Sequence, residues 1–126
     1  MDNTRVRYII NKEDGVVVAT IDSCDCDAEE IVNSKFIPNV TSGFTIMNNY
    51  DNNKFYMNSN YRAIAKRHPD DKWDAKLGKK IANDKLTEAY HNGLNRRLKK
   101  YANDFRKIAD DIDKYLEDRH FNATKS

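Results

Sequence analysis

Seven apolar residues near the C-terminus recur at alternating spacings of four and three, the heptad pattern of a helix that packs lengthwise against another helix. They are Leu94, Leu98, Tyr101, Phe105, Ile108, Ile112 and Tyr115. Ala102, Ala109 and Leu116 each follow a d position and widen this seam into a stripe. So wide a stripe in a chain of 126 residues needs a partner, either the preceding helix or a second copy. We expect a homodimer through the C-terminal helix.

Charged residues make up 33% of the chain, yet the two signs nearly balance at a formal charge of +2. So small an excess does not favour sequence-independent nucleic-acid binding, and it also argues against an acidic mimic of DNA. No apolar run approaches the ~20 residues of a membrane span, and the N-terminus lacks a signal-peptide core. We expect a single cytoplasmic domain over residues 1–126, with neither a membrane nor a nucleic acid as its partner.

The two cysteines, Cys24 and Cys26, are separated by a single residue. That spacing strains an intrachain disulfide and departs from the two-residue gap of redox pairs and zinc knuckles. The sequence therefore predicts reduced thiols at the end of a strand, with no metal and no cofactor. A metal site that combines both thiols with a distant histidine is the alternative.

Residues 1–67 are predicted to be rich in β-strands. Residues 5–10 and 16–21 are β-forming runs on either side of Asp14-Gly15, which favours a hairpin turn with positive φ at both central residues. The second run is almost entirely apolar, which indicates a central strand. Asp27 is predicted to cap a short helix, with Glu30 three residues later. Further strands are predicted at residues 43–47, 54–58 and 61–65.

Residues 68–121 are predicted to be helical and residues 122–126 to form a disordered tail. Pro69 excludes the α conformation at the residue before it, and the two aspartates that follow suit a helix N-terminus. Gly78 is predicted to permit a close approach of the helix backbone. Asn92-Gly93 is either a tight turn between antiparallel helices or a weak point inside one long helix. The predicted fold class is α+β: a small N-terminal antiparallel sheet followed by a helical hairpin or one long helix.

No motif for catalysis or metal binding is present in the sequence. It lacks the H-E-x-x-H spacing, the G-x-x-x-x-G-K phosphate loop and the G-x-S-x-G elbow, and its three histidines are scattered. Asp70, Asp71 and Asp74 lie beside His68, but helix capping and the helix dipole explain all three carboxylates. We therefore expect a protein that is not an enzyme.

Cationic and aromatic residues form two groups that suit an anionic, base-containing ligand, because arginine forks bind phosphate and aromatic faces stack on bases. One group flanks the junction between sheet and helix, and the other begins the heptad helix. The ligand-binding candidates are Tyr61, Arg62, Arg67, Trp73, Arg96 and Arg97. If the helices pair, both groups line one pocket.

Each of these features also has a structural interpretation. For any single one of these cations, a solvated helix face opposite Asp110, Asp111 and Asp113 is the favoured interpretation. Trp73 is favoured as an anchor that ties the start of the helix to the sheet, over a role in stacking on a base.

The segment AIAKRHPDDKWD at residues 63–74, followed by Gly78 and Ala82, resembles a pattern of small phage and prophage proteins of Gram-positive bacteria. In that pattern a strand ending in Ala-Lys leads through Pro-x-Asp-x-aromatic-Asp into a helix with an early glycine. The overall plan is similar to anti-Thoeris signal-sponge proteins, which join a β-core to C-terminal helices that form a dimer. The resemblance implies pockets for cyclic ADP-ribose-type signals, although no ligand-binding residue of that class aligns onto this chain.

We therefore expect a phage-encoded, non-enzymatic anti-defence protein that sequesters a nucleotide immune signal in the host cytoplasm. The alternative is an anti-CRISPR-type inhibitor that binds a host nuclease complex through exposed aromatics such as Tyr50, Phe55 and Tyr56. A sequence-specific nucleic-acid binder ranks third and predicts a gel shift that weakens steeply with salt. An enzyme ranks last.

Overall fold

The computed structural model describes residues 3–36 and 57–125. Its elements are a short 3-10 helix (Asn3–Arg5), β1 (Val6–Asn11), β2 (Val16–Ile21), α1 (Asp27–Lys35), β3 (Tyr61–Lys66) and α2 (Ala75–Lys125). The three strands form one antiparallel sheet in the order β1-β2-β3. The fold is therefore α+β, with an N-terminal sheet followed by one long helix, as predicted.

β1 and β2 form the predicted first hairpin, but the turn differs from the predicted one. Because Asn11 lies opposite Val16, four residues (12–15) connect the strands, and not the two residues Asp14-Gly15 alone. Only Gly15 of this pair has a positive φ, at +65°. Asp14 instead donates its backbone N–H to the side-chain oxygen of Asn11 at 3.1 Å. This side-chain bond closes the turn without a left-handed aspartate.

β2 is the central strand, as its apolar sequence predicted. Its residues Val17, Ala19 and Ile21 face the helices and are at most 1% exposed. β3 pairs with β2 so that Tyr61 lies opposite Ile21, which confirms the strand predicted at residues 61–65. The strand predicted at residues 43–47 lies outside the described residues.

The strand predicted at residues 54–58 is only partly described. Residues 54–56 lie outside the described ranges, whereas Met57 and Asn58 are described and form no strand. Met57 is instead held by a backbone hydrogen bond to the carbonyl of Asp25, at 3.0 Å. This bond brings the chain back across the sheet end before β3 begins.

α1 begins at Asp27, but the predicted capping by that residue is wrong. Cys26 holds the N-cap position and makes no side-chain cap hydrogen bond. The Asp27 carboxylate instead accepts hydrogen bonds from the Arg5 guanidinium at 2.9 Å and from the Tyr90 hydroxyl at 2.7 Å. Both partners of the bond with Arg5 are charged, which places it among the stronger hydrogen bonds in proteins. Asp27 thus ties the N-terminus and α1 to the long helix.

α2 is one continuous helix of 51 residues, about 76 Å long, so Asn92-Gly93 is not a turn between two helices. It begins later than predicted, since the side chain of Asp74 accepts the N–H of Leu77 at 3.1 Å and caps the first turn. Residues 122–125, predicted as a disordered tail, continue the helix, because each added residue gains one hydrogen bond once a helix is formed.

The core lies between the sheet and the two helices. Among the buried residues of α2, four stand at a spacing of four, namely Ala82, Leu86, Tyr90 and Leu94, and Tyr101 is buried further along. Near the start of α2, a Cβ at Gly78 would lie 2.7 Å from Cγ2 of Val17, so glycine there permits the predicted close approach to β2. The other face of the sheet is more open at its edges, with Ile9 65% and Ile64 45% exposed on either side of Val18, which is only 7% exposed.

The C-terminal part of α2 extends past the sheet. Phe105 is the last α2 residue that packs against the core, and the 20 residues that follow span about 30 Å. Large apolar side chains there are more than half exposed, namely Ile112, Tyr115 and Leu116. Within the described residues, no helix is both long and apolar enough to cross a membrane.

Candidate functional site

A cavity of about 230 Å³ opens where the first residue of β3 meets the middle of α2. We call it the basic cavity. Its lining residues are Met57, Asn58, Tyr61, Gly93, Arg96, Arg97 and Lys100. Three cations, a phenol and an amide therefore converge in this lining, and none of its described residues is a carboxylate.

The helical part of this lining follows from residue spacing. Gly93, Arg96, Arg97 and Lys100 stand at i, i+3, i+4 and i+7, which places them on one face of α2. No Asp or Glu occurs from residue 89 to residue 103, although the whole chain has 20 acidic residues among 126. Arg96 and Lys100 form a like-charge i,i+4 pair, which destabilises a helix by about 0.2–0.5 kcal/mol. A bound anion would relieve this repulsion.

Tyr61 forms the wall of the basic cavity that comes from the sheet. Its hydroxyl lies over Gly93, in the space that a side chain at residue 93 would fill. Its ring also meets Tyr90 edge-on, with the ring centroids 5.9 Å apart at an interplanar angle of 86°. Tyr61 is therefore held on two sides before any ligand binds.

The electrostatics of Tyr61 report the charges around it. Burial raises the pKa of its hydroxyl above the ordinary value, and the neighbouring Cys24 adds to this, whereas Arg96 and Arg97 lower the same pKa. The net effect keeps the phenol protonated at neutral pH, so that it can donate a hydrogen bond. The positive charges of Arg96 and Arg97 are thus both felt at the Tyr61 hydroxyl, which borders the space that an anion would occupy.

A shallow depression of about 470 Å³ adjoins the basic cavity on the outer side of α2. Asn92, Asn95, Arg96 and Lys99 line it, and Arg96 is shared by both openings. Amide side chains both donate and accept hydrogen bonds, which suits the edge of a base or the hydroxyls of a sugar. A ligand larger than the basic cavity can therefore extend across Arg96 into this depression.

Of the six predicted ligand-binding residues, the structure brings Tyr61, Arg96 and Arg97 together. Arg62 is exposed on the opposite face of the sheet, because side chains alternate along β3. Arg67 and Trp73 line a second cavity beside Gly78, about 22 Å along α2 from Gly93. The single pocket was predicted on the condition that the helices pair; within one copy, the two groups line separate cavities, because both lie along one continuous helix.

The second cavity is a narrow crevice at the start of α2. Its volume is about 100 Å³, well below the roughly 300–1,000 Å³ of ligand pockets. The Arg67 guanidinium donates to the backbone carbonyl of Asp71 at 3.2 Å. Trp73 is half-buried and packs against the core, as the anchor interpretation predicts. This crevice is better explained by packing than by ligand binding.

A balanced, solvated helix face would require the carboxylates of α2 to lie near the cations of the basic cavity. Asp110, Asp111 and Asp113 lie on the same helix as Arg97, about 20 Å or more further along it. Asp111 forms an ion pair with Lys107, at 2.9 Å. These carboxylates therefore do not neutralise the cations of the basic cavity.

Sequence reasoning did not select Lys100, Asn58 or Met57 as site residues. Lys100 could have been predicted from the sequence, because it follows Arg96 by four residues and Arg97 by three, within the run that lacks carboxylates. Asn58 and Met57 could not have been predicted, because their place depends on the long-range backbone hydrogen bond between Met57 and Asp25. No local pattern encodes that bond.

The cysteines show no feature of a reactive or metal-binding site. Cys24 is buried, Cys26 is half-buried, and both are free thiols, as predicted. Burial raises the pKa of each thiol, which keeps it protonated and weakly nucleophilic. Among the residues that the structure describes, no three His, Cys, Asp or Glu side chains converge as metal ligands.

Comparison with known proteins gives no family for this chain. A scan against models of protein families found no match, and neither did searches of curated proteins and of solved structures. The functional argument therefore depends on the geometry and charge of the basic cavity.

Proposed function

We propose that the protein binds a nucleotide through the basic cavity and holds it without converting it. The observation that carries this proposal is the convergence of Arg96, Arg97, Lys100 and Tyr61 around one opening. Two arginines bind phosphate oxygens through planar, bidentate forks, and a lysine adds a point charge. The Tyr61 hydroxyl donates one further hydrogen bond.

The size of the cavity determines how a nucleotide would lie. About 230 Å³ is less than the roughly 300–1,000 Å³ of pockets that enclose a whole ligand. The phosphate end therefore enters the basic cavity, while the base and sugar rest in the adjoining depression beside Asn92 and Asn95. Stacking on Trp73 is not part of this arrangement, since Trp73 lies at the other end of the sheet.

The composition of the lining supports binding without turnover. Among the described residues, no histidine, cysteine, serine or carboxylate lines the basic cavity, so these residues place no nucleophile–base pair beside the bound phosphate. Together with the resemblance to small phage proteins, this supports a phage-encoded antagonist that removes a nucleotide immune signal from the host cytoplasm.

Isothermal titration calorimetry with a panel of nucleotides tests this proposal. The panel contains AMP, ADP, cyclic ADP-ribose isomers and cyclic dinucleotides. We expect saturable binding of at least one phosphorylated member, and release of the ligand after denaturation with its mass unchanged. Absence of binding across the panel would overturn the proposal, and a changed mass would overturn its non-enzymatic part.

A plaque assay tests the anti-defence role separately. The protein is expressed in hosts that each carry one nucleotide-signalling defence system, and these hosts are infected with a sensitive phage. We expect restored plaque formation with the natural protein and loss of this effect with Arg96→Gln. Equal rescue by the Arg96→Gln variant would show that the cavity is not responsible.

The open face of the sheet favours a second candidate function, the inhibition of a host nuclease by direct binding. Ile9 and Ile64 are exposed there on either side of Val18 and form an apolar row suited to a protein partner. The aromatic residues predicted for this role, Tyr50, Phe55 and Tyr56, lie outside the described residues. A pull-down from host lysate that recovers a nuclease with the natural protein, but not with Ile64→Gln, would support this function.

A further inference from the structure

The end of α2 carries an apolar surface without a cover among the described residues. We call it the free stripe: Phe105, Ile108, Ile112, Tyr115 and Leu116. Ile112 and Leu116 are each 54% exposed and Tyr115 is 61% exposed. Phe105 at the start of the stripe still packs against the core, but α2 projects about 30 Å beyond it and leaves Ile112, Tyr115 and Leu116 largely in water.

The charge along α2 changes sign at the free stripe. Residues 94–107 carry six Lys or Arg and one Asp, whereas residues 110–118 carry five Asp or Glu and one Lys. In two copies aligned in parallel and in register, residues 94–107, with a net charge of +5, would lie beside the same residues of the partner. Residues 110–118, with a net charge of −4, would likewise lie beside their own copies. Antiparallel copies centred at residue 110 instead place residues 110–118 beside residues 102–110, whose two cations and two carboxylates balance.

The same antiparallel register matches the apolar residues. With residue 110 on the two-fold axis, Phe105 opposes the partner's Tyr115 and Ile108 opposes the partner's Ile112, which gives four apolar layers. Ala109 of each copy lies beside the axis, where a small side chain lets the helices approach closely. Two carboxylates lie at the axis: Asp110 is exposed at the outward f position, and Asp111 is paired with Lys107 of its own helix at 2.9 Å.

We propose that a second copy of this chain covers the free stripe and forms an antiparallel, two-fold dimer through residues 105–116. This arrangement sends the two sheets to opposite ends of the paired helices. It is independent of the proposed nucleotide binding, which needs only the residues of one copy.

Analytical ultracentrifugation of the full chain tests the dimer. We expect a concentration-dependent equilibrium between monomer and dimer that Ile112→Gln shifts at least tenfold toward the monomer. Glu117→Gln, on the outward side of the same helix, is the matched control and should leave the equilibrium unchanged. A monomer at all concentrations, or equal dimerisation of the natural protein and Ile112→Gln, would overturn the proposal.

Cysteine cross-linking tests the orientation. In the antiparallel register, Ala109→Cys brings two thiols together beside the axis, whereas Ile112→Cys is offset along the helices. A parallel pair would show the reverse. In that arrangement Ile112, at an a position, faces the same residue of the partner, whereas Ala109, at an e position, does not. We expect a disulfide-linked dimer for Ala109→Cys only, with the linked peptide identified by mass spectrometry. Efficient linkage of Ile112→Cys alone would contradict the antiparallel pairing.

Discussion

The hydroxyl of Tyr61, the first residue of β3, lies directly over the backbone of Gly93 in the middle of α2. A Cβ at residue 93 would overlap this hydroxyl and would stand 2.7 Å from Cζ of the same ring. The contact therefore sets the distance between strand and helix at the place where the basic cavity opens. It also explains why a glycine stands inside a long helix.

Substitution of Gly93 tests this contact through a double-mutant cycle. Gly93→Ala should destabilise the natural protein by roughly 1–3 kcal/mol, because the added methyl overpacks against Tyr61. In a Tyr61→Ala background the same substitution should stabilise by about 1 kcal/mol, since alanine is the better helix former. Urea unfolding of the four proteins measures both values. An equal effect of Gly93→Ala in the two backgrounds would show that Tyr61 does not impose the glycine.

This pair also shows where sequence reasoning stopped. A glycine costs a helix only about 1 kcal/mol, so local pattern alone left Asn92-Gly93 open between a turn and a helix interior. The deciding contact is with Tyr61, which is 32 residues away in the sequence. The first hairpin was predictable, because its two strands and its turn are adjacent in the chain.

The same reasoning applies to the candidate site. Arg96 and Arg97 were selected from their chemistry, and the periodicity of one helix suffices to place Lys100 beside them. Whether Arg67 joins them depends on the path of α2 over about 22 Å, which no local pattern determines. The sequence therefore identified Arg96 and Arg97 of the basic cavity but grouped them with Arg67, which the fold keeps separate.

The Asp27 carboxylate should be among the most important polar groups for stability. It is 12% exposed and accepts hydrogen bonds from both Arg5 and Tyr90. Asp27→Asn removes the charge that both donors face, and we expect a loss of about 1.5–3 kcal/mol in the free energy of unfolding. Glu30→Gln, an exposed carboxylate of the same helical turn, is the control and should change stability by less than about 0.5 kcal/mol.

Stability should fall at alkaline pH because of Tyr90. Burial and the hydrogen bond to Asp27 raise the pKa of its hydroxyl in the folded chain. The unfolded chain therefore loses this proton first, so the stabilisation is complete below the ordinary tyrosine pKa of about 10 and decreases as the pH rises above it.

Comparison with Tyr90→Phe isolates this contribution. At neutral pH the variant should be less stable than the natural protein, because the hydrogen bond to Asp27 is lost. The gap between them should narrow above about pH 10, where only the natural protein has this phenol to ionise. Urea unfolding across the alkaline range measures the gap. Parallel pH profiles of the two proteins would contradict the assignment.

The most direct test of the central claim compares two lysines of α2 in a calorimetric titration with whichever nucleotide binds. Lys100→Gln removes a charge from the basic cavity, whereas Lys114→Gln removes the same charge about 20 Å further along the helix. We predict that Lys100→Gln weakens binding roughly tenfold, about 1.4 kcal/mol, and that Lys114→Gln leaves the affinity unchanged. Equal affinities of the two variants would show that the nucleotide does not occupy the basic cavity.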